Sequence, residues 1–291
     1  MVETKTFGSK VFKVVNYIIL TILAISCLYP LWYELCVSLS DKLAADGGLV
    51  TLWPIGLNFK SYELIMGDDT FWGAFLISVG RVVLGSIWTM VVIIMMAYPL
   101  SKTSREYKPR NILMWILVFC MLFSGGTIPW FITVKNYGLL DTFAALIFSG
   151  SVPVFNVLLL MNFFRNLPKD LEEAAWVDGC NPLRTFVSII LPSSGPGIVT
   201  VTLFSFVWHW NDYYYSAMLY RENQKALVPT MQALAGTLLH VVSDGGSGGE
   251  ALNARGVLGA AGLLTIIIPM ALYIFLQRYF VESIERTGIV G

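Results

Sequence analysis

The chain has 291 residues, of which 56% are hydrophobic and 13% are charged, and its mean hydropathy is +0.69. This composition is far more apolar than that of an average soluble domain, and it predicts an integral membrane protein. Lysine plus arginine and aspartate plus glutamate number 19 each, so the net charge does not indicate a nucleic-acid partner.

Six apolar segments are long enough to cross the hydrocarbon core of a bilayer, which takes about 20 residues in a helix. We expect the first segment to be retained rather than cleaved as a signal, because it is too long and no small-residue cleavage site follows it. The six segments cover residues 14–37, 72–98, 111–134, 142–164, 197–220 and 258–280.

The positive charges favour one orientation of these segments. With the N-terminus inside, twelve Lys and Arg residues fall on its side of the membrane and six fall on the other side. The positive-inside rule therefore predicts that both termini are cytoplasmic. We expect residues 1–70 to form a tail, the first helix and an outer loop, and residues 282–291 to form a cytoplasmic tail. Residues 71–281 would form a core of five helices with a cytoplasmic loop at 165–196.

The loop at 165–196 carries local signals for a short helix. Asn166 can cap it, Pro168 suits its first turn, acidic residues favour its positive end, and Gly179 can end it. A second helical piece from Pro182 to Ile190 should stop at Leu191 and Pro192. A solvated connector is the ordinary interpretation of such a loop. The alternative is a docking helix, because the small side chains of residues 174–175 would let a partner approach closely.

Several residues of this loop match one long motif: Glu173-Ala174-Ala175, Asp178-Gly179, Phe186, Ile189, Leu191-Pro192 and Pro196. The loop thereby resembles the EAA loop in permease subunits of bacterial ABC importers. The resemblance implies an all-α integral membrane protein with six transmembrane helices and the type I, MetI-like permease fold. It also implies a coupling helix that rests on a separate cytoplasmic ATPase. The implied coupling residues are Glu172, Glu173, Ala174, Ala175, Asp178, Gly179 and Phe186.

The sequence itself contains no GxxxxGK[ST] phosphate loop, and its GGSGG at 245–249 lacks the Lys and Ser/Thr of such a loop. We therefore expect no enzyme activity and no bound cofactor in this chain, with ATP and Mg used by the partner ATPase. The two histidines and four cysteines show no metal-ligand spacing, so no metal site is predicted.

The resemblance extends over most of the chain from about residue 70. It points to the carbohydrate-uptake branch, with greatest similarity to oligosaccharide and uronide permeases. It implies a bacterial inner-membrane location and four kinds of partner: two ATPase subunits, a second homologous permease, an extracytoplasmic solute-binding protein and a carbohydrate. The further matching stretches are residues 97–101, residues 126–130 with 136–142, and residues 209–214.

The fifth segment is the best candidate for lining a sugar pathway. At 100° per residue, Trp208, Asn211, Asp212 and Tyr215 fall on one side of a continuous helix. Rings can cover the apolar faces of a sugar, while the amide and carboxylate can bind its hydroxyl groups. An interfacial aromatic belt is the alternative. Asp212 argues against it, since a carboxylate facing lipid at mid-helix would cost about 2.5–3.5 kcal/mol.

Four more residues are candidates for this pathway, three in other segments and one, His209, in the fifth segment itself. Asn156 and Trp130 can line it, and His209 is expected to be a hydrogen-bonding residue with Asp212 as a possible partner. Arg81 lies within the second segment, where it can form an ion pair or contact a charged ligand.

Three other functions stay open from the sequence. An ABC permease for a non-sugar solute would share the coupling loop. A secondary transporter would usually show internal repeats and buried ionisable relays. A membrane-embedded enzyme would need a catalytic constellation, which the sequence does not assemble.

Overall fold

The computed structural model describes residues 7–148, 150, 152–219, 231 and 254–288. Within these residues all regular secondary structure is helical, which confirms the predicted all-α class. Residues 1–6, Tyr220 at the end of the predicted fifth segment and residues 289–291 of the predicted tail lie outside the described residues. The helices are α1 (Phe7–Ser38), α2 (Lys42–Asp46), α3 (Lys60–Met66), α4 (Asp69–Ser101), α5 (Arg110–Leu122), α6 (Thr127–Asn136), α7 (Phe143–Phe148), α8 (Val154–Arg165), α9 (Asp170–Val177), α10 (Pro182–Thr185), a π-helix (Phe186–Ile190), α11 (Leu191–Ser193), α12 (Gly195–Asn211), α13 (Tyr214–Leu219) and α14 (Ala254–Gly288).

Three of the six predicted segments lie within single long helices. They are the segments at 14–37, 72–98 and 258–280, which fall in α1, α4 and α14. Each of these helices contains a stretch that is long and apolar enough to cross a membrane.

The other three predicted segments are not single helices. Residues 111–134 form α5 and α6, which meet at 115° around Gly126, a glycine with φ +85°. Residues 142–164 divide into α7 and α8, and Pro153 stands immediately before α8. Residues 197–220 divide at Asp212, whose backbone is extended. Three helices of the described chain can span a membrane singly, and up to five spans result when each bent pair counts as one.

The chain forms two compact units, and the first comprises the described residues of 1–71 and 235–267. Its buried residues include Cys36 at the end of α1, Ala45 in α2 and Val50. The hydroxyl groups of Ser38 and Tyr62 lie 2.8 Å apart and join α1 to α3. Gly259 of α14 lies against Glu34 of α1. A Cβ added at Gly259 would be 3.1 Å from the backbone oxygen of Glu34.

The second unit comprises the described residues of 72–234 and 268–291. Helices α4, α5, α8 and α12 and the π-helix all contribute to its main core. Burial of these apolar side chains inside a protein that is itself in lipid relies on close packing, since lipid tails are as apolar as the core. The fully or nearly buried members are Ile93, Ala97, Leu100, Leu117, Val157, Leu160, Ile190 and Val201.

Close packing between α8 and α12 depends on Gly197. A Cβ added at Gly197 would lie 2.6 Å from Cγ of Phe163, closer than carbon atoms approach without displacement. We predict that Gly197→Ala lowers the stability of the purified protein by about 1–3 kcal/mol, because it overpacks this contact. The measurement is the thermal melting midpoint in detergent.

The matched control for this prediction is Gly262→Ala in α14. An added Cβ at Gly262 meets no atom within 4 Å, and alanine is the better helix former. We expect Gly262→Ala to melt at or above the wild-type temperature. A Gly197→Ala protein that melts with the wild type would show that α8 and α12 are not packed as described.

Candidate functional site

An ion pair between Arg81 and Asp212 lies where α12 ends. Arg81, on α4, is only 1% exposed, and its guanidinium donates hydrogen bonds to the Asp212 carboxylate and to the hydroxyl of Ser216. It also donates to the backbone carbonyl of Asp212 at 3.3 Å. Oδ1 of Asp212 accepts the backbone N–H of Tyr215 at 3.1 Å and thereby caps α13. Asp212 therefore ends one helix, starts the next and neutralises a buried cation.

This geometry corrects the predicted face of the fifth segment. Because α12 stops at Asn211, the 100° spacing that placed Asp212 and Tyr215 beside Trp208 does not continue past that residue. Both charges of the ion pair are turned towards each other, with side-chain exposures of 1% and 6%. The sequence left two roles open for Arg81, an ion pair or contact with a charged ligand, and the structure shows the ion pair.

His209 does not pair with Asp212, so that expectation is wrong. Its Nε2 lies 3.1 Å from the hydroxyl of Thr89 on α4. Its ring packs against Gly85, so closely that a Cβ added at Gly85 would be 2.7 Å from the ring carbon Cε1. The physical reason is that Asp212 is held by Arg81 outside the helix, while His209 faces α4 from inside it. His209 is buried and joins α12 to α4.

Aromatic rings surround the break after α12. The rings of Trp130 and Tyr215 lie 4.6 Å apart between centroids, and Tyr214 follows at 5.6 Å from Tyr215. Trp208 is 40% exposed and contacts the edge of the His209 ring. Asn211 is exposed beside them.

Asn156 lies apart from this group. It is buried in the first turn of α8. Among the described residues, no hydrogen bond, ion pair or ring contact joins it to the other predicted pathway residues. The structure thus brings Trp130 and Tyr215 together, and separately Arg81 and Asp212, but leaves Asn156 outside both groups.

The short helix predicted in the loop at 165–196 is present as α9. Its C-terminus is closed by Gly179 at φ +77°, with the N–H of Gly179 bonded to the carbonyl of Trp176 and that of Cys180 bonded to the carbonyl of Ala175. This pair of hydrogen bonds is a Schellman motif, which favours glycine at the position with left-handed backbone. The N-terminus differs from the prediction, because Asn166 ends α8 and Lys169 is the residue before α9.

The predicted coupling residues divide between two faces of the loop. Glu173, Ala174, Asp178 and Gly179 are exposed, whereas Ala175 is buried. Glu172 is turned inward and forms an ion pair with Lys102, the first residue after α4. Phe186 is also turned inward, with its ring 4.2 Å from that of Tyr98 on α4.

The second helical piece continues further than predicted. It runs from α10 through the π-helix into α11 and reaches Ser193, so Pro192 does not stop it. Asn181 caps its start by accepting the N–H of Arg184 at 2.8 Å. Proline lacks an N–H, and Pro192 stands in the first turn of α11, where proline is tolerated.

A groove of about 100 Å³ lies between the end of α4 and α9. Its lining includes Lys102, Glu106, Lys169 and Glu173. The backbone N–H of Thr103 donates to Glu106 at 2.8 Å, and this hydrogen bond is the main cause that lowers the pKa of Glu106. Glu106 is therefore a stable carboxylate at neutral pH on the wall of the groove.

Sequence reasoning missed four residues that take part in these contacts. Signals for two of them were present: Lys102 is the first cation after a predicted span, and Ser216 is four residues after Asp212. Thr89 gave no separate signal, because a threonine in an apolar helix is common, and Tyr98 lay in the matching stretch 97–101 without a role assigned to it. The four residues are Thr89, Tyr98, Lys102 and Ser216.

Comparison with known proteins agrees with this architecture. Residues 81–286 match the family described as binding-protein-dependent transport system inner membrane component. The polygalacturonan/rhamnogalacturonan transport system permease protein YtcP of Bacillus subtilis is 35% identical over 97% of this chain and 99% of its own. The diacetylchitobiose uptake system permease protein NgcG of Streptomyces coelicolor is 26% identical over 94% of this chain and 88% of its own.

A solved structure is also similar. The crystal structure of a bacterial ABC transporter involved in the import of the acidic polysaccharide alginate matches with a TM-score of 0.82 and 28% identity. The match covers 95% of this chain and 99% of that chain. The chain belongs to the family of binding-protein-dependent transport system inner membrane components, which confirms the predicted resemblance to ABC permeases.

The Arg81–Asp212 pair gives a prediction about stability. Asp212→Asn keeps the shape of the side chain and its ability to accept the Tyr215 N–H, but it leaves the Arg81 charge uncompensated. We expect a loss of about 3–5 kcal/mol, seen as a lower melting midpoint of the purified protein.

The control removes both charges in Arg81→Met/Asp212→Leu. Replacing a buried pair by apolar residues is often close to neutral, so this double variant should melt above Asp212→Asn. Equal melting of Asp212→Asn and the wild type would mean that water screens the pair.

Proposed function

We propose that this chain is the membrane permease subunit of an ATP-driven importer for oligosaccharides and that α9 is its docking element for a separate ATPase. The exposed face of α9 carries the proposal. It presents the carboxylates of Glu173 and Asp178 next to the exposed apolar side chains of Trp176 and Val177. Val177 is 88% exposed and Trp176 is 53% exposed, and adjacent exposed apolar side chains of this kind mark a surface that a partner can cover.

The chemistry of this face describes the partner surface. An apolar cleft with a basic rim would cover the two apolar side chains and pair with the two carboxylates. The neighbouring helix α10 adds Leu183, which is 71% exposed. We propose two ATPase subunits for the complete importer, one under this chain and one under a second, homologous permease. ATP and Mg belong to those subunits, and both termini of this chain lie in the cytoplasm, as the positive-inside rule favours.

Reversal of one exposed charge tests the docking surface. We predict that Glu173→Lys lowers the amount of ATPase that co-purifies with the permease by at least about tenfold, because a cation would then face the basic rim. The measurement is the ratio of ATPase to permease after affinity purification of the complex.

Glu63→Lys is the matched control. Glu63 is also an exposed helical glutamate, but it lies on α3, in the predicted outer loop. We expect normal ATPase recovery with Glu63→Lys. Equal recovery with both variants would remove α9 from the docking surface.

The aromatic rings beside the break after α12 support a pathway for sugars. Trp130 and Tyr215 form one ring pair, and Trp208 presents a partly exposed ring one turn before the break. Asn211 offers exposed amide groups next to these rings. This combination fits a pyranose, whose C–H faces are apolar and whose edges carry hydroxyl groups. Arg81, Asp212, His209 and the buried Asn156 would then hold the helices that shape this pathway.

The relatives suggest which sugars to test first. One relative is named for polygalacturonan and rhamnogalacturonan, and the similar crystal structure concerns the acidic polysaccharide alginate. We therefore propose uronate-containing oligosaccharides, delivered by an extracytoplasmic solute-binding protein. Because Arg81 is neutralised by Asp212, Lys135, an exposed cation at the end of α6, is the better candidate to attract a uronate.

The pathway prediction concerns Trp208. We expect Trp208→Ala to raise the half-saturating concentration for uptake of trigalacturonate by about fivefold, since the loss of one ring contact is worth about 1 kcal/mol. ATPase recovery should be unchanged. The assay uses the whole complex in proteoliposomes with its binding protein.

Trp115→Ala is the comparison variant. Trp115 is a 75% exposed tryptophan on α5, a helix that contributes none of the rings named at the break after α12. We expect uptake by Trp115→Ala to match the wild type. Unchanged uptake by Trp208→Ala would take Trp208 out of the pathway.

A further inference from the structure

The inward face of the coupling loop is attached to the end of α4. Glu172 of α9 and Lys102 form an ion pair, with the two side chains 21% and 20% exposed. A pair that is shielded to this extent is less weakened by solvent and salt than a fully exposed pair. The ammonium of Lys102 also lies 4.6 Å from the centroid of the Tyr98 ring, a cation–π geometry.

An aromatic contact reinforces the same attachment. The ring centroids of Phe186 and Tyr98 lie 4.2 Å apart, and those of Phe164 on α8 and Tyr98 lie 6.0 Å apart. The end of α4 is fixed from the other side by Arg110, whose Nε donates to the carbonyl of Leu100 at 3.1 Å. The C-terminal turn of α4 is therefore held by charge, by rings and by a capping cation.

The same helix carries the ion pair at the break after α12. Arg81 lies 20 residues before Ser101, which corresponds to about 30 Å along a helix at 1.5 Å per residue. One continuous helix thus connects the Lys102–Glu172 contact with the Arg81–Asp212 contact. A rigid displacement of this helix would also displace Arg81, and Arg81 is bonded to the residue that separates α12 from α13.

We propose that Lys102 and Glu172, supported by Tyr98 and Phe186, are the residues that pass movement of α9 to α4 and through it to the break at Asp212. This inference rests on the proposed function, because it assumes that an ATPase moves α9. It assigns separate roles to two adjacent glutamates. Glu173 contacts the ATPase, and Glu172 passes the displacement of α9 to α4. Neither Lys102 nor Tyr98 contacts substrate or nucleotide in this scheme.

Charge exchange between Lys102 and Glu172 tests the inference in the complete importer with its binding protein. We expect Lys102→Glu and Glu172→Lys each to keep ATPase recovery and ATP hydrolysis, but to lower trigalacturonate uptake per ATP hydrolysed by about tenfold. The double variant Lys102→Glu/Glu172→Lys restores the opposite charges and should recover most of the wild-type ratio. Lys108→Glu is the control, because it makes the same charge change at an exposed lysine of the same loop.

A milder variant covers the case in which a reversed charge prevents assembly. Glu172→Gln keeps the size of the side chain and removes only its charge, so it should lower the uptake ratio with normal melting and normal ATPase recovery. Full coupling in Glu172→Gln, or a well-folded double variant no better than the single variants, would overturn the inference. An importer whose wild type recovers no ATPase would instead overturn the proposed function, which makes the two failures distinguishable.

Discussion

A guanidinium within an apolar helix has to find a negative partner inside the protein, because lipid offers none. Arg81 finds it in Asp212, and the carboxylate reaches Arg81 from a residue whose backbone is extended rather than helical. The ion pair and the break in the fifth predicted segment therefore belong together. Asp212 compensates for the break by capping α13, so that the interrupted helix leaves fewer unsatisfied backbone groups.

The break has consequences for the surrounding rings. Since α13 starts anew at Tyr214, Tyr215 is turned towards Trp130 instead of continuing the face that carries Trp208. Irregular backbone at membrane depth is tolerated where it is buried in protein or lines a cavity. A cluster of partly exposed rings at such a position suits a path for a solute with apolar faces and polar edges.

The loop at 165–196 presents two different faces at the other end of α4. Ala175 and Phe186 pack inward, and Glu172 bonds to Lys102, so the loop is fixed to α4. Glu173 and Val177 point outward and are available to a partner. Adjacent residues of a helix are 100° apart, which is why two neighbouring glutamates face opposite environments. Attachment on one face and exposure on the other are the requirements for passing on an external movement.

Local signals in the sequence determined the membrane class, the six apolar segments, the loop helix with its Gly179 terminus, and the family. The class, the segments and the helix depend on hydropathy and on capping within a few residues, and the family depends on matching residues along the chain, so all of them can be read without the fold. The partner of Arg81 could not be read in this way, because Asp212 is 131 residues away along the chain. The sequence also offered His209 as a partner for the Asp212 carboxylate. Only the tertiary structure decided where the segments break, which glutamate of α9 turns inward, and that Lys102 receives it. The break at Asp212 and the inward turn of Glu172 each depend on a distant charged group, Arg81 and Lys102.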